Sequence, residues 1–330
     1  MIDFAGKDCL ITGGLGFIGS NLAHRLVALG ASVHIVDSLI PGHGGNYHNL
    51  AGIEHKVTVT EADMRDQAMR SLVRRRDVIF NLAGQVSHLD SMNDPETDLQ
   101  INCRSQMILM ELVRHENPGA IVVYTSTRQI YGRPLGLPVS ENHPIRPVDV
   151  NGVNNVAGEM YHLLYHDVYG IKTVSLRLTN TYGPRMLLTK GSTQGFITTF
   201  VRAALEGGEI MLYGDGEQRR DMNEVSDVVE ALLRAASTSE CFGLAFNLGH
   251  LEVVTLRQVA ETLQAICPKL TIRYIPWPEE KKRIDIGDYY ADFSRFSNAT
   301  QWLPRVDLAT GLERMVEFYR ENQEHYWGAL

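Results

Sequence analysis

The sequence predicts an α/β protein: a doubly wound parallel sheet followed by a smaller C-terminal lobe. Three observations predict it. Through the first half, short apolar runs alternate with amphipathic, helix-spaced runs. A glycine triplet, Gly13, Gly16 and Gly19, sits between the first run of each kind. From about Pro184 the alternation loosens into a mixture of helices and short strands. Strand then helix, repeated, implies a parallel sheet covered on both faces.

The elements follow in order. "DCLITG" (8–13), "SVHIVD" (32–37), "KVTVTEAD" (56–63), "DVIFNLAG" (77–84) and "AIVVYTST" (120–127) read as strands. "GFIGSNLAHRLVALG" (16–30), the stretch around 66–75 and "LQINCRSQMILMELVRHEN" (99–117) read as helices. "NGVNNVAGEMYHLLYHDVYG" (151–170) opens a further helix, with Asn151, Asn154 and Asn155 in or near its first turn. "TVSLRLTN" (173–180) is the sixth strand. Beyond it, "STQGFITTFVRAALEGG" reads as a helix with a glycine stop, and "EIMLYGDGEQRRDMNEV" as strand, turn and strand. "SDVVEALLRAAS" and "TLRQVAETLQAIC" are helices with Ser or Thr at the start, and "LTIRYIPWP" is a strand ending in Pro. The division expected is a cofactor domain over 1–183 and a substrate lobe over 184–330, with elements crossing between them.

Composition narrows the function classes. Apolar residues at 44% and charged residues at 21% describe an ordinary soluble globular chain. A formal net charge of −8, with basic residues scattered, argues against a nucleic-acid surface. Cys9, Cys103, Cys241 and Cys267 lie far apart, with neither metal spacing nor a disulfide framework, as expected in a reducing cytosol. No metal site is expected. The N-terminus lacks a signal-peptide pattern and no 18-residue apolar run occurs, so no membrane span and a cytoplasmic location are expected.

"LITGGLGFIGSNL" carries G-x-x-G-x-x-G from a strand into a helix. Such a turn lets bare backbone approach a pyrophosphate, and the helix N-terminus supplies partial positive charge. Gly13, Gly16, Phe17, Ile18 and Gly19 are therefore expected to hold a dinucleotide in a Rossmann-type domain. Asp37 ends the next strand, where a carboxylate accepts from an adenine-ribose diol. It also repels a 2′-phosphate, so NAD is favoured over NADP. Asp63 and Met64 follow the third strand, and Leu82, Ala83 and Gly84 the fourth; all are expected beside the cofactor, with a plain loop cap as the alternative role for Asp63.

With these placed, the chain resembles the extended short-chain dehydrogenase/reductase family of nucleotide-sugar epimerases, dehydratases and decarboxylases. The resemblance spans nearly the whole length. It rests on "TGGLGFIGSNL", "NLAGQVSHLDSMNDPETDLQIN", "YTSTRQIYG", "LRLTNTYGPRM" and "LYGDGEQRRDMNEVSDVVEAL", in the family's order. "NTYGPRM" looks most like the UDP-glucuronate decarboxylase branch, "LAGQVSHLDSMNDP" more like the CDP-sugar 2-epimerase branch. The resemblance implies a hydride loan: NAD oxidises a sugar hydroxyl, and the hydride later returns. It implies a UDP-, CDP-, GDP- or dTDP-linked sugar as substrate and a homodimer. In the family a Tyr acts as base, a Lys four residues later lowers its pKa, and a Ser or Thr sits on the strand before.

Here the chain departs. Aligned on the shared "AGE", Asn151 falls on the Tyr position and Asn155 on the Lys position. They share one helical face, but neither can move a proton near neutral pH. Thr127 keeps the Ser/Thr position. Arg128 and Gln129 stand where the dehydratase branch has an Asp-Glu pair, which argues against ordinary 4,6-dehydration. His88, in the loop implied to face the sugar, is the best replacement base, since its unperturbed pKa of about 6.5 suits proton transfer. Catalytic candidates are thus Thr127, Asn151, Asn155 and His88. Substrate candidates are Gln85, Ser91, Arg128, Asn180, Arg220 and Arg283, with Arg220 matching an Arg that pairs with the diphosphate. The expected function is an NAD-dependent nucleotide-sugar epimerase or related oxidoreductase with a rearranged acid/base set. The alternative is a catalytically silent NAD- and nucleotide-sugar-binding protein.

Overall fold

The computed structural model describes residues 3–188, 195–279, 282 and 285–327. Its strands, in chain order, are β1 (Asp8–Thr12), β2 (Ser32–Asp37), β3 (Val57–Glu61), β4 (Val78–Asn81), β5 (Ile121–Thr127) and β6 (Lys172–Leu178). They continue as β7 (Asn180–Tyr182), β8 (Glu209–Tyr213), β9 (Arg219–Glu224), β10 (Leu244–Asn247), β11 (Val253–Thr255) and β12 (Thr271–Ile275). Seven of them form one sheet in the order β10-β6-β5-β4-β1-β2-β3, with every pair parallel. β4 is buried along its whole length and β1 along all but its first residue, as central strands covered on both faces must be. The direction of winding reverses between β1 and β4, and ligands of such sheets bind at that switch, beyond the carboxyl ends of the strands.

Two apolar layers cover the sheet. On one side α1 (Phe17–Ala28) and α8 (Val225–Ser237) bury Leu22, Leu26, Val228 and Leu232 against Ile11, Val33, Phe80 and Val123. On the other, α2 (Met69–Leu72), α5 (Ser105–Glu116) and α6 (Val150–Tyr169) bury Met69, Leu109, Val113 and Tyr165 against Leu10, Ile79 and Val122. The helix expected around 66–75 is therefore the short α2. Before α5 the chain runs through α3 (His88–Asn93), α4 (Pro95–Leu99) and one π-turn at Gln100–Arg104. The segment holding His88 is helical from that residue, because Ser87 caps it by accepting from the Asp90 amide.

α6 sets the site and is itself tightly seated. Asp149 caps its start by accepting from the Gly152 amide at 2.7 Å, and Gly170 ends it in the left-handed region. Arg177 of β6 makes a buried ion pair with Glu159 of α6 at 2.6 Å, tying helix to sheet. Such a pair is strongly destabilising to break, because a lone charge stays buried. At Gly158 a Cβ would lie 2.6 Å from the Asn102 carbonyl, so only glycine allows this approach to the π-turn.

The remaining elements build a smaller core. β9 lies between β11 (antiparallel) and β7 (parallel), and β8 pairs in parallel with β12. The two strands read from "EIMLYGDGEQRRDMNEV" therefore pair elsewhere and not with each other. α7 (Phe196–Glu206), α9 (Leu256–Ile266) and the helix Leu308–Tyr326 bury Phe200, Leu263, Leu312 and Tyr319 in that core. The chain also returns to the large sheet, where β10 supplies its edge beside β6. Among the described residues no helix is long and apolar enough to cross a membrane.

Candidate active site

A cleft of about 450 Å³ opens at the carboxyl ends of β1, β2, β4 and β5 and runs toward β7 and β9. At one end it is lined by Gly13, Gly16, Phe17, Ile18, Gly19, Asp37, Met64, Leu82, Ala83 and Gly84. The turn fits a dinucleotide. A Cβ on Gly19 would lie 2.7 Å from the Gly14 Cα, so the helix can start this close to the strand only without a side chain. Asp37 accepts from the amides of Leu15 and Leu39, each at 3.0 Å. Burial raises its carboxyl above the usual range, against the pull of those amides. The loop after Asp37 adds Ser38, Ile40, His43, Gly44 and Gly45, none of which a motif announces. Asp63 is not on the cleft wall; its carboxylate is held by Arg65 at 2.6 Å.

The other end holds Gln85, His88, Thr127, Arg128, Asn151, Asn155, Asn180 and Arg220. Ser91 lies behind this wall, fully buried, accepting from the Asn151 amide and donating to the His88 carbonyl. Arg283 lies outside the described residues.

The three Asn residues find their reason in a residue the motifs did not single out. Asp98 of α4 is fully buried, and its carboxylate accepts from Asn102 at 3.0 Å, Asn151 at 3.1 Å and Asn154 at 2.8 Å. Asn151 donates its other amide hydrogen to the Gln85 carbonyl at 2.8 Å. Its oxygen accepts from Asn155 at 3.2 Å, whose own oxygen accepts from the Tyr124 hydroxyl at 3.2 Å. Both amide hydrogens of Asn151 are thus committed to the protein. This face of α6 is a closed amide network around a buried acid. Beneath it, His162 stacks on Tyr124 at 4.3 Å, with Nδ1 on the Gly158 carbonyl and Nε2 on the Asn81 amide. Burial pushes the His162 pKa down to about 4, so it is neutral.

His88 lines the same cleft. Its Nδ1 stands 3.1 Å from Asp149 Oδ2, and its side chain is one-third exposed to the cleft. Gln129 Nε2 reaches the same pair, at 3.3 Å from Asp149 and 3.2 Å from His88 Nδ1. Burial works to raise the Asp149 carboxyl, but the His88 contact and the Gly152 amide together hold it below the usual range. A carboxylate held ionised beside Nδ1 favours the tautomer that donates to Asp149 from that nitrogen; Gln129 then donates to Asp149 and not to His88, and Nε2 is the acceptor. Nothing in the sequence around Asp149 marks it as the partner of His88.

The comparisons agree with this architecture. The family model described as "NAD dependent epimerase/dehydratase family" matches residues 9–249. UDP-glucose 4-epimerase of Mycolicibacterium smegmatis is 31% identical, over 96% of this chain and 99% of that one. UDP-glucuronic acid decarboxylase 2 of Arabidopsis thaliana is 30% identical, over 96% of this chain and 69% of that one. The structure of UDP-glucose 4-epimerase from Thermotoga maritima, solved with UDP-glucose, superposes with a TM-score of 0.86 at 29% identity. It covers 96% of this chain and 99% of that one. The chain belongs to the NAD-dependent epimerase/dehydratase family: it is an enzyme of that family, and NAD is its cofactor.

Proposed function

We propose that this enzyme acts on a nucleotide diphosphate sugar, as an epimerase or related oxidoreductase, with His88 and Asp149 replacing the family's Tyr and Lys. The observation that carries the proposal is the His88–Asp149 pair, 3.1 Å apart, on the wall of the cleft that holds Thr127. The glycine turn, Asp37 and Leu82 to Gly84 hold NAD; Thr127, Gln85, Asn180 and Arg220 hold the sugar nucleotide. Bound there, NAD would supply a reversible hydride acceptor for a sugar carbon. His88 Nε2 takes the proton of the reacting hydroxyl, and the imidazolium so formed is stabilised by Asp149. The Thr127 hydroxyl hydrogen-bonds the same sugar oxygen. Asn151 and Asn155 transfer no proton; with Asp98 they fix the wall against which the ring sits.

The silent-binding reading is less favoured. It rests on the absent Tyr and Lys alone, and the relatives are named as enzymes. We keep the division into an NAD domain over 1–183 and a sugar-nucleotide lobe over 184–330, with β10 crossing back, and a cytoplasmic residence for its free cysteines. A homodimer is proposed through α6, whose Val153, Met160, Leu164 and Val168 form an exposed apolar stripe. A monomer mass in solution at micromolar concentration would remove that part.

The test is proton NMR in deuterated water, with NAD and a panel of UDP-, CDP-, GDP- and dTDP-sugars. Deuterium entering one ring carbon, or a new sugar, is expected with at least one member. Saturation transfer to a sugar nucleotide without exchange or product over long incubation would overturn turnover and leave binding.

A further inference from the structure

Arg128 is the least satisfied cation of the cleft. A guanidinium has five N–H donors and no acceptor, and burying one without acceptors is costly. Arg177, which is buried, has Glu159 at 2.6 Å, whereas Arg128 is half-buried and faces the cleft. Arg220 donates to the carbonyls of Gly287 at 2.6 Å and Arg219 at 2.8 Å, with Asp285 at 3.7 Å. Arg128 has two long bonds to neutral amide oxygens: 3.4 Å to Gln129 and 3.3 Å to Asn180. Among the described residues no carboxylate lies within ion-pair distance of it. Its guanidinium instead lies over the Tyr289 ring, 5.1 Å from the centroid. Burial lowers its pKa, and Arg220 is close enough for Arg128 to press on its charge in turn.

Its place along the cleft says what it faces. Arg128 follows Thr127 directly. Gln129, which it touches, reaches the His88–Asp149 pair; Asn180, its other contact, sits on β7 beside the strand of Arg220. The guanidinium therefore spans the gap between the proton-transfer pair and the phosphate end, where the sugar ring lies in the reading above.

We propose that Arg128 binds a carboxylate on the sugar, so that the substrate is a nucleotide diphosphate uronate rather than a neutral hexose. The inference rests on the sugar-nucleotide reading and adds the charge of the sugar to it. A planar fork lying on an aromatic face matches a carboxylate bidentately. A neutral hydroxymethyl group would leave most of its donors unmet.

The experiment measures binding to the full chain loaded with NAD, by calorimetry. The ligands are UDP-glucuronate, UDP-glucose and UDP, with glucuronate 1-phosphate and glucose 1-phosphate as a pair that carries no base. Wild type is expected to favour the uronate of each pair by about 10- to 100-fold, the size of one charge-assisted pair. Arg128→Gln should erase that preference while UDP, UDP-glucose and NAD bind as before; unchanged NAD affinity shows that the variant folds. Equal wild-type affinity for uronate and neutral sugar would overturn the proposal. So would an equal loss of UDP affinity in Arg128→Gln, which assigns the residue to the diphosphate. Binding of NAD with none of the five ligands would sink the underlying sugar-nucleotide reading, and this inference with it.

Discussion

The two ends of the cleft are built by different means. The end we assign to NAD is walled by a glycine turn, a helix start and one carboxylate, all within residues 13–37. At the reacting end, the wall is a web of side-chain amides around Asp98, drawn from α4, the π-turn and α6. The first depends on what the backbone can approach, the second on every donor finding its acceptor. A backbone cradle tolerates drift in its neighbours' side chains. A buried polar web does not, since one lost acceptor strands several donors at once.

That contrast can be broken or sharpened by measurement. The largest effect is expected at His88: His88→Ala should slow proton exchange in the sugar by roughly 10²- to 10⁴-fold, the usual worth of a general base, with NAD affinity unchanged. Full activity in that variant removes His88 from the mechanism. Next, Asp98→Leu should destabilise the protein by about 3 kcal/mol or more, because stranded buried donors cost about 1–3 kcal/mol each. Denaturant titration reads it, and a midpoint like wild type would mean the amides find other partners and the web is tolerant after all.

Acid should loosen the reacting end before the NAD end. His162 has its pKa lowered from 6.5 to about 4 in the fold, so between those values the unfolded chain binds the extra proton. Its contribution is present above pH 6.5 and is lost as pH falls toward 4, amounting to about 3 kcal/mol. Thermal melts across that range should show the decline, flattened in His162→Gln; parallel curves for the two proteins would refute it. The smallest effect is expected at Asp37. Asp37→Ala should weaken NAD binding about 10- to 100-fold through lost ribose hydrogen bonds, with little change in melting temperature. If stability fell as steeply as affinity, the cradle would be no more local than the web.

The same contrast explains what was legible in the sequence. The parallel sheet and the glycine turn are local signals: alternation, spacing and a carboxylate at a strand end. The Asn positions were legible as a departure, but their partner was not. Asp98 precedes Asn151 by 53 residues and lies in a polar stretch, "NDPETD", that reads as an exposed helix start. Only the docking of α4 against α6 turns it into a buried acid. His88 stood out by its chemistry alone; its partner Asp149 did not, because a helix cap and a carboxylate that orients an imidazole look the same in one dimension. Asp63 reads two ways in one dimension, and in the fold its carboxylate holds Arg65.

The edge strand β10 has a consequence for synthesis. A ribosome releases β1 to β6 long before Leu244–Asn247 emerges, so β6 must wait with one side of its ladder unpaired. An open parallel edge pairs readily with other chains. Nascent chains arrested when β6 has left the ribosome but Leu244–Asn247 has not should therefore be cut rapidly at β6 by protease and should recruit chaperones, whereas chains arrested well past Asn247 should resist. Equal resistance at both lengths would show that the half-sheet stands by itself. Where the half-sheet is cut, expression level is governed less by how fast the glycine-turn end folds than by how soon translation delivers four residues from the far side of the molecule.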